Sequence, residues 1–413
     1  MKNVVKFSLV FILALCVFFP VFAQTPSPSI APSGSPNPSI SHSISPNIEP
    51  TIAEVSPFDI KAKSYVLMEE ETGTVLYQFN EKEKLPIASV TKIMTALLAA
   101  EAVNRGDVSL NTEVSTSEYA ASMGGSQVFL EPNEKMSLRD MLKAMMVASA
   151  NDAAVAVAEK IAGTENAFVA RMNERAKKLG MINTKFITSN GLDKNKVDGY
   201  STSLDVAIMS RELLKYDFII KDSQIWMDTL RNGAFGISNT NKMLKQYEGT
   251  IGLKTGSTQS AKYCLSAVAK RNGITYIAVI LGADTPNDRW NGAKQLLDYG
   301  FTNYEKYEDK SLSKVVVKID KGKKRAMSLE IEGGGACIVP KADKNNIRVE
   351  TDIPKTISAP IKKGEKCGTV KFYVGDKLLR EAQVYTTENI AKLNIWGGIR
   401  YIFEQLFTLE RAK

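Results

Sequence analysis

Ser89 and Lys92 are the residue pair whose types and spacing best suit nucleophilic chemistry. They stand three positions apart in the sequence Ser-Val-Thr-Lys, and the apolar pattern predicts a helix over residues 89–103. In a helix this spacing puts the amine and the hydroxyl on one face, and the helix N-terminus favours developing negative charge. A desolvated lysine, or one beside another cation, becomes neutral and can then take the hydroxyl proton.

The Ser-x-x-Lys pattern is weak by itself, because it occurs twice in this chain. Ser311 and Lys314 repeat it in a β-rich region, where the serine does not open a helical sequence. The structural alternative for Ser89 is an ordinary helix N-cap. The helical context makes Ser89, rather than Ser311, the predicted nucleophile.

Ser149 and Asn151 form a second motif, Ser-Ala-Asn, in a break between two predicted helices. Here they could bring a hydroxyl and an amide to the far side of a cleft. The alternative is that both residues cap the helix that follows them.

A third motif, Lys-Thr-Gly-Ser at residues 254–257, directly precedes a predicted hairpin. A glycine at position 256 would let substrate backbone approach the strand closely. Taken alone, this motif is more typical of a polar turn.

The sequence contains only one histidine, which limits the kinds of catalysis it can support. The single histidine, His42, lies in a segment with the composition of disordered chain, which argues against a Ser-His-Asp hydrolase and a His-ligated zinc enzyme. No nucleotide loop, metal cluster or other cofactor signature occurs, so no cofactor is predicted. Three cysteines follow the first 23 residues, and we expect isolated thiols, although pairing of Cys337 with Cys367 stays open.

The three motifs occur in the order and at roughly the separations found in penicillin-recognising serine enzymes. The chain therefore resembles the low-molecular-weight penicillin-binding proteins, the D-alanyl-D-alanine carboxypeptidase family, from about residue 58 to 386, including Ala-Pro-Ile-Lys-Lys-Gly at 359–364. The resemblance implies a serine peptidase that removes the terminal D-alanine of peptidoglycan pentapeptides through an acyl-enzyme. It also implies covalent inhibition by β-lactams.

The resemblance further implies catalytic roles for five residues. Ser89 would attack the carbonyl of the penultimate D-alanine, with Lys92 as base and Lys254 as the cation that keeps Lys92 neutral. Ser149 and Asn151, together with Lys254, would relay the proton to the leaving amine and orient the substrate amide.

Substrate binding is implied for Thr255, Gly256, Ser257 and Arg289. The backbone N–H groups of Ser89 and Ser257 would form an oxyanion hole. The Thr255 hydroxyl and the Arg289 guanidinium would bind the terminal carboxylate, since a guanidinium can donate two parallel hydrogen bonds. The alternative for Arg289 is a solvated loop cation.

Rival activities use the same motifs. The commonest serine β-lactamases need a glutamate that activates water, whereas residues 181–193 contain none and Asp193 fits the peptidase pattern. A non-catalytic wall-binding protein is disfavoured, because all the motif residues are intact. An endopeptidase or transpeptidase on the same site stays open.

Strand and helix patterns surround these motifs. Two strands around a Glu-Thr-Gly turn are predicted at 64–77, and a hairpin through Asn-Gly at 264–282. Helices are predicted at 137–147, 165–179 and 290–299. The predicted fold class is α/β: residues 58–307 form a penicillin-binding, serine β-lactamase-like domain with an antiparallel sheet, helices on both sides and a helical subdomain.

The sequence pattern changes in the C-terminal part. Short strands separated by Gly- or Lys-rich turns predict a small all-β domain at 308–386. Apolar residues spaced by threes and fours from Ile390 to Leu409 predict an amphipathic helix within 387–413. We hypothesise that this helix makes peripheral contact with a membrane; the alternative is that it packs on the β domain.

The N-terminal part predicts export. Residues 1–23 have the charged start, apolar run and small-residue end of a signal peptide, and residues 24–57 form a Ser/Pro-rich linker. We therefore expect an extracytoplasmic protein at the outer face of the cytoplasmic membrane or in the wall. The net charge of +8 is dispersed along the chain, so no nucleic-acid partner is predicted.

Overall fold

The computed structural model describes residues 57–194 and 197–394. The strands of its first domain are β1 (Ser64–Glu69), β2 (Val75–Phe79), β3 (Glu113–Ser115), β4 (Lys135–Ser137), β5 (Met227–Leu230), β6 (Phe235–Ser238), β7 (Thr250–Thr258), β8 (Lys262–Arg271) and β9 (Ile274–Ala283). Its helices are α1 (Lys92–Arg105), α2 (Glu118–Ala121), α3 (Leu138–Val147), α4 (Asn151–Ala162), α5 (Glu165–Lys178), α6 (Ser203–Leu213), α7 (Asp217–Ser223), α8 (Met243–Gln246) and α9 (Pro286–Asn303). Short 3-10 turns span Ala88–Thr91 and Arg231–Gly233.

The central sheet is antiparallel, with strand order β2-β1-β9-β8-β7. Successive side chains of a strand point to opposite faces. On β9, Ile277 and Val279 therefore join the core that holds α1, α3, α4 and α6, whereas Tyr276 and Ile280 join the core beneath α9. The predicted sheet with helices on both sides is confirmed.

Capping residues explain where three of the predicted helices begin or end. Ser137 accepts a hydrogen bond from the Asp140 N–H at 3.0 Å and begins α3. The α5 helix ends just before Gly180, as predicted. The α9 helix begins earlier than predicted, because Thr285, directly before Pro286, forms a capping box with Asp288 in the first turn.

A second domain of strands follows α9. Its strands are β10 (Tyr304–Glu308), β11 (Val316–Asp320), β12 (Ala326–Ile331), β13 (Ala336–Pro340), β14 (Ile347–Asp352), β15 (Thr356–Ser358), β16 (Lys366–Val374) and β17 (Lys377–Thr386), with 3-10 turns at Lys310–Leu312 and Lys341–Asn346. Six strands form a sheet in the order β14-β16-β17-β12-β11-β15, and β10 pairs with β13. Alternating residues such as Val370 and Phe372 face its core.

The structure moves both predicted borders of this domain outward. The domain begins at Tyr304, because β10 pairs with β13, so a border at residue 308 would cut through a strand. At the other end Ile390 is 2% exposed and pairs with Ile361, and the Leu393 N–H donates to the Lys321 carbonyl at 2.8 Å. A helix beginning at Ile390 is therefore wrong. Ile390 is apolar because it fills the core of the β domain. Its distance from the next apolar residues happens to match helical spacing, so the sequence pattern wrongly included it in a helix.

Three predictions concern residues outside the described ranges. The signal peptide, the linker and residues 395–413 of the C-terminal helix all stay predictions. Among the described residues, no helix is long and apolar enough to cross a membrane. Cys264, Cys337 and Cys367 are all free thiols, so the Cys337–Cys367 pairing is not formed.

Candidate active site

The 3-10 turn before α1 carries Ser89. This turn runs directly into the helix, so Lys92 is the first residue of α1 rather than lying inside it. Within the turn Ala88 has φ +47°, a left-handed conformation that costs a non-glycine residue roughly 1–2 kcal/mol. The arrangement puts the Lys92 Nζ 2.8 Å from the Ser89 Oγ.

The surroundings of Lys92 favour its neutral form. Burial lowers the pKa of Lys92 well below its ordinary value, and the Lys254 ammonium lowers it further. The Lys92 Nζ donates to the Asn151 Oδ1 at 2.6 Å and to the Asn190 carbonyl at 2.7 Å. A neutral amine has two hydrogens and one lone pair. Because two carbonyl oxygens accept the hydrogens, the lone pair is left for the Ser89 hydroxyl.

Ser149 and Lys254 form a second hydroxyl–amine pair across from the first. The Lys254 Nζ donates to the Ser149 Oγ at 2.9 Å and to the Thr255 carbonyl at 3.0 Å. Burial, and then the charge of Arg289, lower the pKa of Lys254 to about 7. An amine with this pKa can both give and take a proton near neutral pH.

Asn151 contacts the first pair through Lys92 and is held in one orientation. Its side-chain Nδ2 donates to the Gly124 carbonyl at 2.7 Å, and its backbone N–H donates to the Ser126 carbonyl at 2.7 Å. The amide oxygen therefore faces Lys92. Ser149, with φ +61°, turns the chain sharply just before α4.

Strand β7 forms the opposite wall of the site. Thr255 is buried, and its Oγ1 lies 2.7 Å from the Thr240 Oγ1, while Ser257 is exposed. A Cβ atom on Gly256 would lie 2.6 Å from the Ile87 carbonyl oxygen. The glycine is therefore required by the turn that carries the nucleophile, a reason that differs from the predicted approach of substrate backbone.

Arg289 lies in the first turn of α9, not in the loop before it. Its Nη1 is 3.3 Å from the Gly256 carbonyl oxygen, and its guanidinium stacks 4.2 Å from the Trp290 ring centroid. Burial lowers the pKa of Arg289 to about 10, so it remains a cation at neutral pH. The structure thus brings Arg289 to the strand that carries Lys254, Thr255 and Gly256.

Asn190 is a site residue that the sequence analysis missed. Its backbone oxygen, not its side chain, accepts from Lys92, and the residue type gives no signal for such a contact. The next residue, Gly191, has φ +87°, and a Cβ atom there would lie 1.9 Å from the Ala88 carbonyl oxygen. The Asn-Gly pair is the only available hint of a close turn at this point.

Two buried carboxylates near the site were also not assigned from the sequence. Asp152 accepts from the backbone N–H groups of Val128 and Leu130, both at 3.1 Å. Glu165 accepts from the Ser189 backbone N–H at 2.8 Å and from its hydroxyl at 2.7 Å. Both residues stand in the first turn of a helix, which predicts only a favourable dipole contact.

Two family models match this chain, and together they cover most of its length. The family model described as D-alanyl-D-alanine carboxypeptidase matches residues 51–285, and the C-terminal domain of penicillin-binding protein 5 matches residues 304–392. The D-alanyl-D-alanine carboxypeptidase DacF of Bacillus subtilis is 43% identical over 338 residues, which cover 80% of this chain and 86% of that protein.

Solved structures show the same architecture. Penicillin binding protein 5 from Haemophilus influenzae is 28% identical with a TM-score of 0.69, and the match covers 82% of this chain and 100% of the other. The ampicillin-bound form of penicillin-binding protein D2 from Listeria monocytogenes is 32% identical with a TM-score of 0.52, covering 59% and 98%.

Proposed function

Because the chain belongs to the D-alanyl-D-alanine carboxypeptidase family, we propose that it removes the terminal D-alanine of peptidoglycan pentapeptides through an acyl-enzyme on Ser89. The observation that carries the proposal is the buried Lys92 amine, 2.8 Å from the Ser89 Oγ, with both its hydrogens accepted by carbonyl oxygens. This amine supplies the base, since the described residues include no histidine.

The reaction proceeds in two stages. In the first, the Ser89 proton moves to Lys92 while the Ser89 oxygen attacks the carbonyl carbon of the penultimate D-alanine. The peptide C–N bond then breaks, and the proton held by Lys92 passes through Ser149 and Lys254 to the leaving amine, so Lys92 is neutral again. In the second stage Lys92 takes a proton from the water that attacks the ester carbonyl. The bond between the acyl carbon and the Ser89 oxygen then breaks, and Lys92 returns the proton to that oxygen.

Two further groups bind the substrate. The backbone N–H groups of Ser89 and Ser257 stabilise the oxyanion, and removal of one such donor costs about 3 kcal/mol of barrier in other hydrolases. Thr255 and Arg289 bind the terminal carboxylate, the feature that distinguishes a chain end from an internal peptide bond. The proximity of Arg289 to the Gly256 carbonyl, at 3.3 Å, supports this assignment.

β-Lactams acylate the same serine, and we expect the adduct to be long-lived. A serine β-lactamase would need a glutamate that activates water, and the buried Glu165 is the carboxylate to consider for that role. However, its hydrogen bonds are made to Ser189 and Tyr119 rather than to Ser89 or Lys92. This engagement supports a peptidase over a β-lactamase.

Mass spectrometry of the intact protein tests the proposal. Incubation with a penicillin is expected to add the mass of one antibiotic, which is lost only slowly, and a pentapeptide is expected to lose one D-alanine. A cross-linked dimer peptide offered in parallel separates carboxypeptidase from endopeptidase activity. Absence of both D-alanine release and a penicillin adduct would overturn the assignment, and rapid antibiotic turnover without an adduct would favour the lactamase.

Export and membrane contact form a separate part of the proposal. The N-terminal signal pattern, and a substrate that belongs to the cell wall, support an extracytoplasmic enzyme. The apolar spacing beyond residue 394 supports peripheral membrane contact. Sedimentation with vesicles of anionic lipid tests this contact with a chain truncated after Asn394. Truncation after Thr386 would remove Ile390 from the β core and confound the result. Equal sedimentation of truncated and full-length chains would exclude the membrane anchor.

A further inference from the structure

We propose that Glu165 is a positioning residue for Lys92, and that it acts through the segment of residues 188–191. The inference rests on the proposed function, because it assigns to Glu165 the task of holding the base in place. Glu165 itself contacts neither the nucleophile nor the base in the described structure; its hydrogen bonds reach Lys92 in two steps.

The first step joins Glu165 to Ser189. One carboxylate oxygen accepts from the Ser189 N–H at 2.8 Å and from the Ser189 Oγ at 2.7 Å, and the other accepts from the Tyr119 hydroxyl at 2.7 Å. Three donors therefore surround this one side chain. Burial, and then the hydrogen bond to Glu165, raise the pKa of Tyr119 to about 12, so it stays a donor at neutral pH.

The second step joins this segment to α1. The Ser189 carbonyl accepts from the Thr95 Oγ1 at 2.5 Å, and the Asn190 carbonyl accepts from the Lys92 Nζ at 2.7 Å. Thr95 and Lys92 are three residues apart and share one face of α1. The main chain of residues 189–190 is thus bonded to Glu165 on one side and to the base on the other.

The chemistry depends on this double attachment. The Asn190 carbonyl takes one of the two hydrogens of neutral Lys92, which leaves the lone pair directed at Ser89. If the segment lost its bond to Glu165, the carbonyl would move and water would reach the amine. The charged groups that face Lys92 are Lys254 on β7 and Asp152 on α4. With those unchanged, added hydration alone would raise the pKa of Lys92 toward its ordinary value.

Acylation kinetics with a fluorescent penicillin, measured across a range of pH, test the inference. For Glu165→Ala we expect the first-order acylation step to slow about a hundredfold, the cost typical of a misplaced catalytic group. The dissociation constant of the complex that precedes acylation should stay unchanged. The acidic limb of the rate profile should move to higher pH, because acylation needs neutral Lys92.

Two variants make the result specific. Glu165→Gln keeps an oxygen that can face Ser189, so it should recover part of the lost rate. Glu174→Gln changes an exposed glutamate of the same helix and should behave as wild type. Tyr119→Phe removes only the third donor at a side chain that is 44% exposed, and should shift the profile in the same direction by less.

Several outcomes would overturn the inference. One is a wild-type rate and pH profile in Glu165→Ala. If that variant fails to fold, wild-type rates and profiles in both Glu165→Gln and Tyr119→Phe have the same force. Failure of the wild-type protein itself to react would instead refute the proposed function, so the two failures are distinguishable.

Discussion

The chain contains the same four-residue pattern in two domains, and we propose a reactive site for only one copy. Ser89 and Ser311 each lie on a 3-10 turn, with a lysine three positions later. Lys92 is fully buried, whereas Lys314 is exposed. The Ser311 hydroxyl bonds to the nearby Asp309 carboxylate at 2.7 Å, an ordinary turn contact. Spacing brings an amine and a hydroxyl together, but desolvation, a second cation and oriented carbonyl groups make the amine a base.

The largest expected effect separates the two serines. Ser89→Ala should lower D-alanine release about a millionfold, comparable with the loss of a serine nucleophile in other hydrolases, and should abolish the penicillin adduct. The matched variant Ser311→Ala should keep both properties. Product analysis and intact-protein mass spectrometry measure them. An adduct retained in Ser89→Ala would place the nucleophile elsewhere.

The next effect separates the two lysines. Lys92→Met keeps the length and apolar packing of the buried stem but removes the base, so the acylation rate should fall about a thousandfold. Lys314→Met, at an exposed position, should acylate at the wild-type rate. Stopped-flow fluorescence with a labelled penicillin provides the comparison. Equal rates in the two variants would show that another group accepts the serine proton.

A smaller effect tests the second cation of the site, Lys254. Since the Lys254 charge helps to lower the pKa of Lys92, Lys254→Gln should raise that pKa. Acylation requires neutral Lys92, so it is lost as the pH falls through this pKa, and the acidic limb should begin at higher pH. We expect a decrease of about tenfold or more at neutral pH. Lys270→Gln, an exposed change on β8, is the control for charge alone; an unshifted limb in Lys254→Gln would contradict the electrostatic coupling.

The smallest effect tests the structural role of the second copy. Asp309 accepts from the Ser311 N–H at 2.9 Å and caps its turn. Asp309→Ala should therefore lower the free energy of unfolding by about 1 kcal/mol without changing acylation. Denaturant unfolding, together with the penicillin assay, measures both quantities. A loss of acylation in this variant would mean that the β domain affects the reactive site.

Much of this arrangement was predictable from the sequence, because it depends on local patterns. The spacing of Ser89 and Lys92, the helix break at Ser149 and the hairpin after β7 each follow from a few neighbouring residues. The acceptor supplied by Asn190 could not be predicted in this way, since a backbone oxygen has no residue signature. At Ile390 the local pattern gave a false prediction. This residue fills the core of the β domain, and its spacing from later apolar residues matches that of a helix by chance.

Gly256 and Gly191 limit which substitutions the site can accept. They belong to distant stretches of chain. Gly256 abuts the carbonyl of Ile87, directly before the turn that carries Ser89, and Gly191 abuts the carbonyl of Ala88, the first residue of that turn. A methyl group added at either position would collide with the backbone that holds Ser89, whether or not an antibiotic is bound. Because either change would disturb the segment that carries Ser89, we expect substitutions at these two positions to lower activity, so resistance to β-lactams should not arise there.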